Sequence, residues 1–197
     1  GKLVVSNNST IRSNLTTSEL VGYSIHNFGL VSISNSTVLK SHITSNSWSK
    51  TEIKDSQVGK ISAYGKQEMD IINSLLIDTP YYGFYAAYAD GISIVDVIID
   101  VNNTYYSTGL SLAYETRNVY VDNVTIKNSR NGFEIERASG YSITDNSLPN
   151  RIYNLTIQNV TNYDLHLYTV TGHPYNLTII NPNFNESNIW NGDASWA

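Results

Sequence analysis

The stretch Arg117–Leu148 reads RNVYVDNVTIKNSRNGFEIERASGYSITDNSL, and one short phrase occurs in it twice. Val119-x-Val121-x-Asn123-x-x-Ile126 returns further along as Tyr141-x-Ile143-x-Asp145-x-x-Leu148. Between the copies lies an alternating run, Gly132-Phe133-Glu134-Ile135-Glu136. Alternation with period 2 marks a strand with one face turned inward. A strand phrase that recurs at a near-constant spacing marks a repeat whose units stack to bury their apolar faces.

Working outward, the phrase apolar-x-apolar-x-Asn/Asp spans almost the whole chain. It stands at Leu3-x-Val5-x-Asn7, Tyr23-x-Ile25-x-Asn27 and Val31-x-Ile33-x-Asn35. It continues at Ile53-x-Asp55, Met69-x-Ile71-x-Asn73 and Ile92-x-Ile94-x-Asp96, then at Leu155-x-Ile157-x-Asn159 and Leu177-x-Ile179-x-Asn181. An apolar residue often follows three positions after the Asn or Asp: Val38, Val58, Leu76, Ile99, Ile126, Phe184. From Asn35 the Asn/Asp positions advance through Asp55, Asn73, Asp96, Asn123, Asp145, Asn159 and Asn181, with a typical step of roughly 22 residues. The short steps, Asn27 to Asn35 and Asp145 to Asn159, mark second strands of one unit or an inserted strand.

A second ladder runs alongside: Ile61-x-Ala63, Phe84-x-Ala86, Leu110-x-Leu112, Phe133-x-Ile135, Leu165-x-Leu167. Both ladders stretch around residues 136–155, which places a shared insertion near Ser139–Asn150. Gly83, Gly109 and Gly132 each precede the second strand, as a tight corner would require. The expected fold is all-β: a parallel β-helix, a solenoid with coils of roughly 22 residues. Inward columns are expected from Ile33, Ile53, Ile71, Ile94, Val121, Ile157 and Ile179, with the bend asparagines stacked inward as an Asn ladder. A β-sandwich would also show short alternating strands but needs no fixed phrase and period.

These repeats resemble the pectate-lyase-like family of right-handed, single-stranded parallel β-helices, most clearly from Ile53 to Phe184. The likeness implies a single domain over 1–197. Its first coils lie in 1–50 and its regular coils in 51–184, and the tail 185–197 is a cap or docking segment. Enzymes of the family work with clustered Asp residues. Here Ala89-Asp90-Gly91-Ile92 is similar to one polygalacturonase-like phrase, but Thr108-Gly109-Leu110-Ser111 stands where the Asp pair belongs. Gly172-His173-Pro174 matches the His phrase only in half, and no Arg-Ile-Lys exists. For the calcium-dependent lyases, Asp78, Asp96, Asp100 and Asp122 are scattered among corners instead of converging.

Composition narrows the function classes. The chain carries 24 Asn, 24 Ser, 17 Thr and 15 Tyr, and only 15% charged residues. Strand formers are plentiful, so this polar chain is not a disordered one. A net charge of −5 leaves no basic footprint for nucleic acid. No apolar run is long enough to span a bilayer, and the absence of cysteine excludes disulfides. His26, His42 and His173 stand singly, without metal-ligand spacing, and no metal or cofactor is expected.

Sequons are dense. Asn-x-Ser/Thr occurs at Asn7, Asn8, Asn14, Asn35, Asn102, Asn123, Asn154, Asn159, Asn176 and Asn185. Chance at this composition gives roughly five. The expected setting is extracellular, with N-linked glycans. The leading expectation is a non-catalytic structural glycoprotein that assembles with copies of itself in a cell-surface layer, sheath or filament. Its composition resembles that of archaeal surface proteins. The alternative is a polysaccharide-binding or polysaccharide-degrading protein. Its candidate residues are Glu134, Glu136 and His166, which fall on outward positions of the second ladder. The aromatic stretch with Tyr81, Tyr82, Tyr85 and Tyr88, together with Trp190 and Trp196, offers contact area for a sugar or a partner.

Overall fold

The structure is a computed structural model that describes residues 2–5, 10–14, 24–77, 79, 81–114, 116–137, 150–169, 177–185 and 188–191. The described residues are nearly all strand, with no α-helix. In order the strands are β1 (Lys2–Val5), β2 (Thr10–Asn14), β3 (Ser24–Asn27), β4 (Leu30–Ser34), β5 (Thr37–Ser45), β6 (Lys50–Lys54), β7 (Gln57–Ile72) and β8 (Leu75–Ile77). They continue as β9 (Tyr82–Ala113), β10 (Arg117–Arg137), β11 (Asn150–Tyr153), β12 (Thr156–Gln158), β13 (Tyr163–Thr169), β14 (Leu177–Ile180) and β15 (Ile189–Asn191). They join one 15-stranded sheet. The pairings between these strands are parallel, which excludes the antiparallel ladders of a sandwich.

Three ladders carry the repeat. Ladder A stacks Ile25, Ile43, Ile61 and Phe84, and then Leu110, Phe133, Leu165 and Ile189. Ladder B stacks Ile33, Ile53, Ile71, Ile94, Val121, Ile152 and Ile179. Ladder C stacks Val38, Val58, Leu76, Ile99, Ile126 and Ile157. Residues of all three ladders join one buried apolar cluster. Fully burying one such side chain contributes about 1.5–3 kcal/mol, and the interior residues of the ladders are covered only because the rungs on either side exist, whereas Ile189 on the last rung is exposed.

The second ladder of the sequence is therefore ladder A, where Ile61 pairs with Phe84, Leu110 with Phe133 and Phe133 with Leu165. The first ladder needs three corrections. Leu3 and Ile25 belong to ladder A. Ile157 lies in ladder C, and Ile152 fills the place expected for it in ladder B. The phrase at 141–148 falls outside the described residues. It is no rung beside Val121, whose ladder neighbours are Ile94 and Ile152. The expected insertion (139–150) lies largely outside the described residues. At that point all three ladders take a longer step than elsewhere, through Val121–Ile152, Ile126–Ile157 and Phe133–Leu165. In the tail, Ile189–Asn191 adds one more rung to ladder A, and Trp196 lies outside the described residues.

The Asn/Asp of the phrase sits at the bend between ladders B and C. Asn35, Asp55, Asn73, Asp96, Asn123, Asn154 and Asn181 all have φ between 47° and 55°. Left-handed backbone costs most residues about 1–2 kcal/mol, and Asn and Asp tolerate it best because their short side chains bond locally. This conformation turns the side chains out: all seven are exposed, contrary to the expected inward ladder. They still bond between rungs. Asn73 Nδ2 donates to Asp55 Oδ1 (2.5 Å) and Asn123 Nδ2 to Asp96 Oδ1 (2.6 Å). A second such bend, between ladders C and A, holds Asn102, Asn128 and Asn159.

Asn27 is different. It lies in ladder A's inward column, fully buried, and bonds Lys50 O and Thr51 Oγ1 (both 2.8 Å) while accepting from Gly29 N (2.8 Å). With Ser45, Ser49 and Thr51 it forms a satisfied polar core at this end of the stack. Gly83, Gly109 and Gly132 also serve a purpose other than the expected one, since none has positive φ. A Cβ on Gly109 would overlap Ile126 Cγ2 and stand 3.0 Å from Gly132 O. These glycines let ladder A's entry pass close over ladder C's isoleucines.

Candidate functional site

The outer face of ladder A carries the chemistry-bearing side chains. Alternation sends Leu110, Leu112, Phe133, Ile135 and Leu165 into the core and Ser111, Glu134, Glu136 and His166 to the other side. Register then aligns Ser62 with Tyr85, Ser111 with Glu134, and Glu134 with His166 and onward to Trp190. The next outward column aligns Tyr64 with Ala87, and Ala113 with Glu136. The expected trio of Glu134, Glu136 and His166 is thus brought onto one face. Glu136 also aligns by backbone with Tyr168.

Glu134 is held from two sides. Thr108 Oγ1 donates to its Oε2 at 2.7 Å, and His166 Nδ1 stands 3.8 Å from its Oε1. The Glu134 and His166 side chains are mostly covered, at 14% and 16% exposure. Burial pushes the His166 pKa down and outweighs the pull of Glu134, so the imidazole is neutral near pH 7. Burial, and next the charge on Glu134, push the Glu136 carboxyl above its ordinary range. His166 packs edge-on against Trp190 at 4.6 Å and near Tyr163 at 5.2 Å.

An aromatic wall adjoins them. Tyr85 packs against Tyr82 at 5.0 Å and Tyr64 at 5.9 Å. Burial raises both the Tyr82 and Tyr85 phenols, and the nearby Glu134 and Glu136 add to the rise at Tyr82. Lys60 Nζ lies 5.4 Å over the Tyr82 ring. Tyr88 and Tyr114 occupy left-handed corners and stack at 4.9 Å with rings 1° from parallel. Tyr81, next to Tyr82 in the chain, stands more than half exposed, as do Tyr105 and Tyr106, whose rings meet edge-on at 4.3 Å.

Outward alternation pointed to Ser111, but not to its state: its Oγ is buried without a hydrogen-bond partner. Thr108 escaped the pattern because the chain turns there from ladder C into ladder A, and period 2 breaks at a corner. Lys60 and Tyr163 also gave no sequence signal. The aspartates weighed for calcium are engaged elsewhere. Asp96 accepts from Asn123, Asp100 from Asn128, and Asp122 from Asn154 and Tyr120. Among the described residues no cluster of three or more His, Cys, Asp or Glu can hold a metal, and no helix is long and apolar enough to cross a membrane. Asp78, His173, Asn7, Asn8 and Asn176 lie outside the described residues.

Six sequon asparagines have described side chains: Asn35, Asn102, Asn123, Asn154, Asn159 and Asn185. All six are exposed. The first five occupy the two left-handed bends that flank ladder C, so none of these lies on ladder A's outer face. Comparison with protein-family models, with curated proteins and with solved structures finds no match to this chain.

Proposed function

We propose that the chain winds as a right-handed, single-stranded parallel β-helix of the pectate-lyase-like kind and serves as a non-catalytic, self-assembling extracellular glycoprotein of a surface layer, sheath or filament. The three parallel ladders, visited in turn by each repeat, support the winding. The observation that carries the glycoprotein reading is the exposure of the six sequon asparagines. The left-handed bend accounts for Asn at these corners, but not for the Thr two residues on. At that rung position Thr37, Thr125 and Thr156 align with Gln57, Leu75, Ile98 and Asn183, so the fold accepts other residues there. Acceptor and hydroxyl coincide at Asn35, Asn123 and Asn154.

Peptide mass spectrometry and light scattering on the protein purified from its native cells test this reading. Glycopeptides at the bend asparagines, in a polymeric particle, are the expected result. An unmodified, monomeric chain refutes it. The Thr108–Glu134–His166 constellation favours a second reading, a site that binds or cleaves polysaccharide. A screen against polysaccharides with Glu134→Gln as control decides that one: activity or binding that survives the substitution removes the site.

A further inference from the structure

The outer face of ladder A combines two carboxylates, a buried hydroxyl without a partner and a wall of tyrosine rings. We propose that this face, at Ser111, Glu134 and Glu136, binds a primary ammonium group of the kind carried by an amino sugar or an alkylamine. The inference rests on the same face as the polysaccharide reading, but it requires neither cleavage nor a polymer.

Ser111 is fully buried on the outward side, between inward Leu110 and Leu112, and its Oγ has no hydrogen-bond partner. Such a group costs free energy until something bonds it. It lies directly in register with Glu134, whose Oε2 is occupied by Thr108. Glu136 follows two residues on, in register with Ala113 and near the Tyr82 and Tyr85 phenols. A primary ammonium has three N–H donors and no acceptor. It matches one serine oxygen and two carboxylates, whereas a quaternary ammonium has no donor for Ser111. Tyrosine faces attract cations, and the wall already does so: Lys60 holds its ammonium over Tyr82. Lys60 and Arg130 reach the margins of the face, at Tyr82 and His166 respectively. The paired carboxylates repel an anionic sugar, so a polyuronide is disfavoured here.

The test is a calorimetric or NMR titration of the intact chain with four probes. These are n-butylamine, a glucosamine tetramer, its fully N-acetylated counterpart and a galacturonate tetramer. The expected result is binding of the two amines, weakened by salt, with the acetylated and anionic tetramers at least about tenfold weaker. Glu136→Gln should weaken amine binding by about tenfold. Ser111→Ala should weaken it several-fold while leaving the thermal midpoint unchanged or higher, because the unsatisfied hydroxyl is gone. That opposite sign separates loss of the site from loss of the fold. Butylamine and glucosamine binding together support the shared ammonium; glucosamine alone supports an amino sugar. Equal binding of the acetylated tetramer overturns the ammonium but leaves a neutral-sugar site standing. No amine binding, or amine binding indifferent to both substitutions, also overturns it, and neither result touches the glycoprotein reading.

Discussion

Consider Gly109→Ala. An added methyl at a residue with ordinary negative φ normally stabilises by about 0.4–1 kcal/mol, because the unfolded chain loses freedom. Burying that methyl would add about 0.8 kcal/mol more. Here the new Cβ overlaps Ile126 Cγ2, stands 3.3 Å from Ile126 Cβ and 3.0 Å from the carbonyl oxygen of Gly132. Ile126 has little freedom to retreat, because Ile99 and Ile157 pack on either side of it in ladder C. Overpacking of this sort costs about 1–3 kcal/mol beyond any gain. We expect a net loss of about 2 kcal/mol, or about 4–8 °C in midpoint for a chain of this size. The double-mutant cycle identifies the cause. Ile126→Leu moves the branch from Cβ to Cγ and removes the clashing Cγ2, at a cost below about 1.5 kcal/mol. In the Gly109→Ala/Ile126→Leu protein the loss should be smaller than the sum by about 1 kcal/mol. Urea unfolding of the four proteins, monitored by tyrosine and tryptophan fluorescence, measures this. A neutral or stabilising Gly109→Ala, or strict additivity in the cycle, would falsify the close-approach account.

Asn27→Leu should cost about 2–4 kcal/mol in urea unfolding, since Gly29 N and Lys50 O lose their partners inside the core; a change below about 1 kcal/mol would mean water replaces the side chain. Asn73, with φ of 47° and no sequon, tests the bend: Asn73→Val should cost about 1–2 kcal/mol and Asn73→Gly close to nothing, and equal tolerance of both would contradict a left-handed requirement. Burial, then Lys60 and His26, lower the His42 pKa from 6.5 to about 4, so between those values the unfolded chain binds a proton that the folded chain refuses. Stability therefore rises with pH across that window and is lost as pH falls through it; His42→Gln should flatten the slope, and an unchanged profile would remove His42 as its source.

Much of the stack was legible because its signals are local. The pairings of Ile61 with Phe84, Leu110 with Phe133 and Phe133 with Leu165 follow from alternation and spacing, and each occurs in the structure. The same holds for Ile33 through Val121 in ladder B. Legibility ended where two local choices were equally good. Tyr141-x-Ile143-x-Asp145 and Asn150-x-Ile152-x-Asn154 both read as a strand running into a bend. Only pairing with Val121 on one side and Ile179 on the other selects the second. The candidate face was half legible: alternation put Glu134, Glu136 and His166 outward, but Thr108 enters from a corner where alternation fails.

By itself, then, the sequence determined that the chain is all-β, which ladder residues alternate inward, and that Asn or Asp marks the bends after the ladder B strands. Those properties depend on backbone preference and on side chains a few positions apart. Tertiary structure decided the rest. It turned the bend asparagines out and took Asn27 in, because orientation depends on which ladder a strand joins. It made the glycines a matter of space, because the isoleucines that exclude a Cβ stand on ladder C, well beyond the next bend in the chain. It set Thr108, Glu134 and His166 together from three successive rungs, since contact between rungs is fixed by parallel register and not by nearness in sequence.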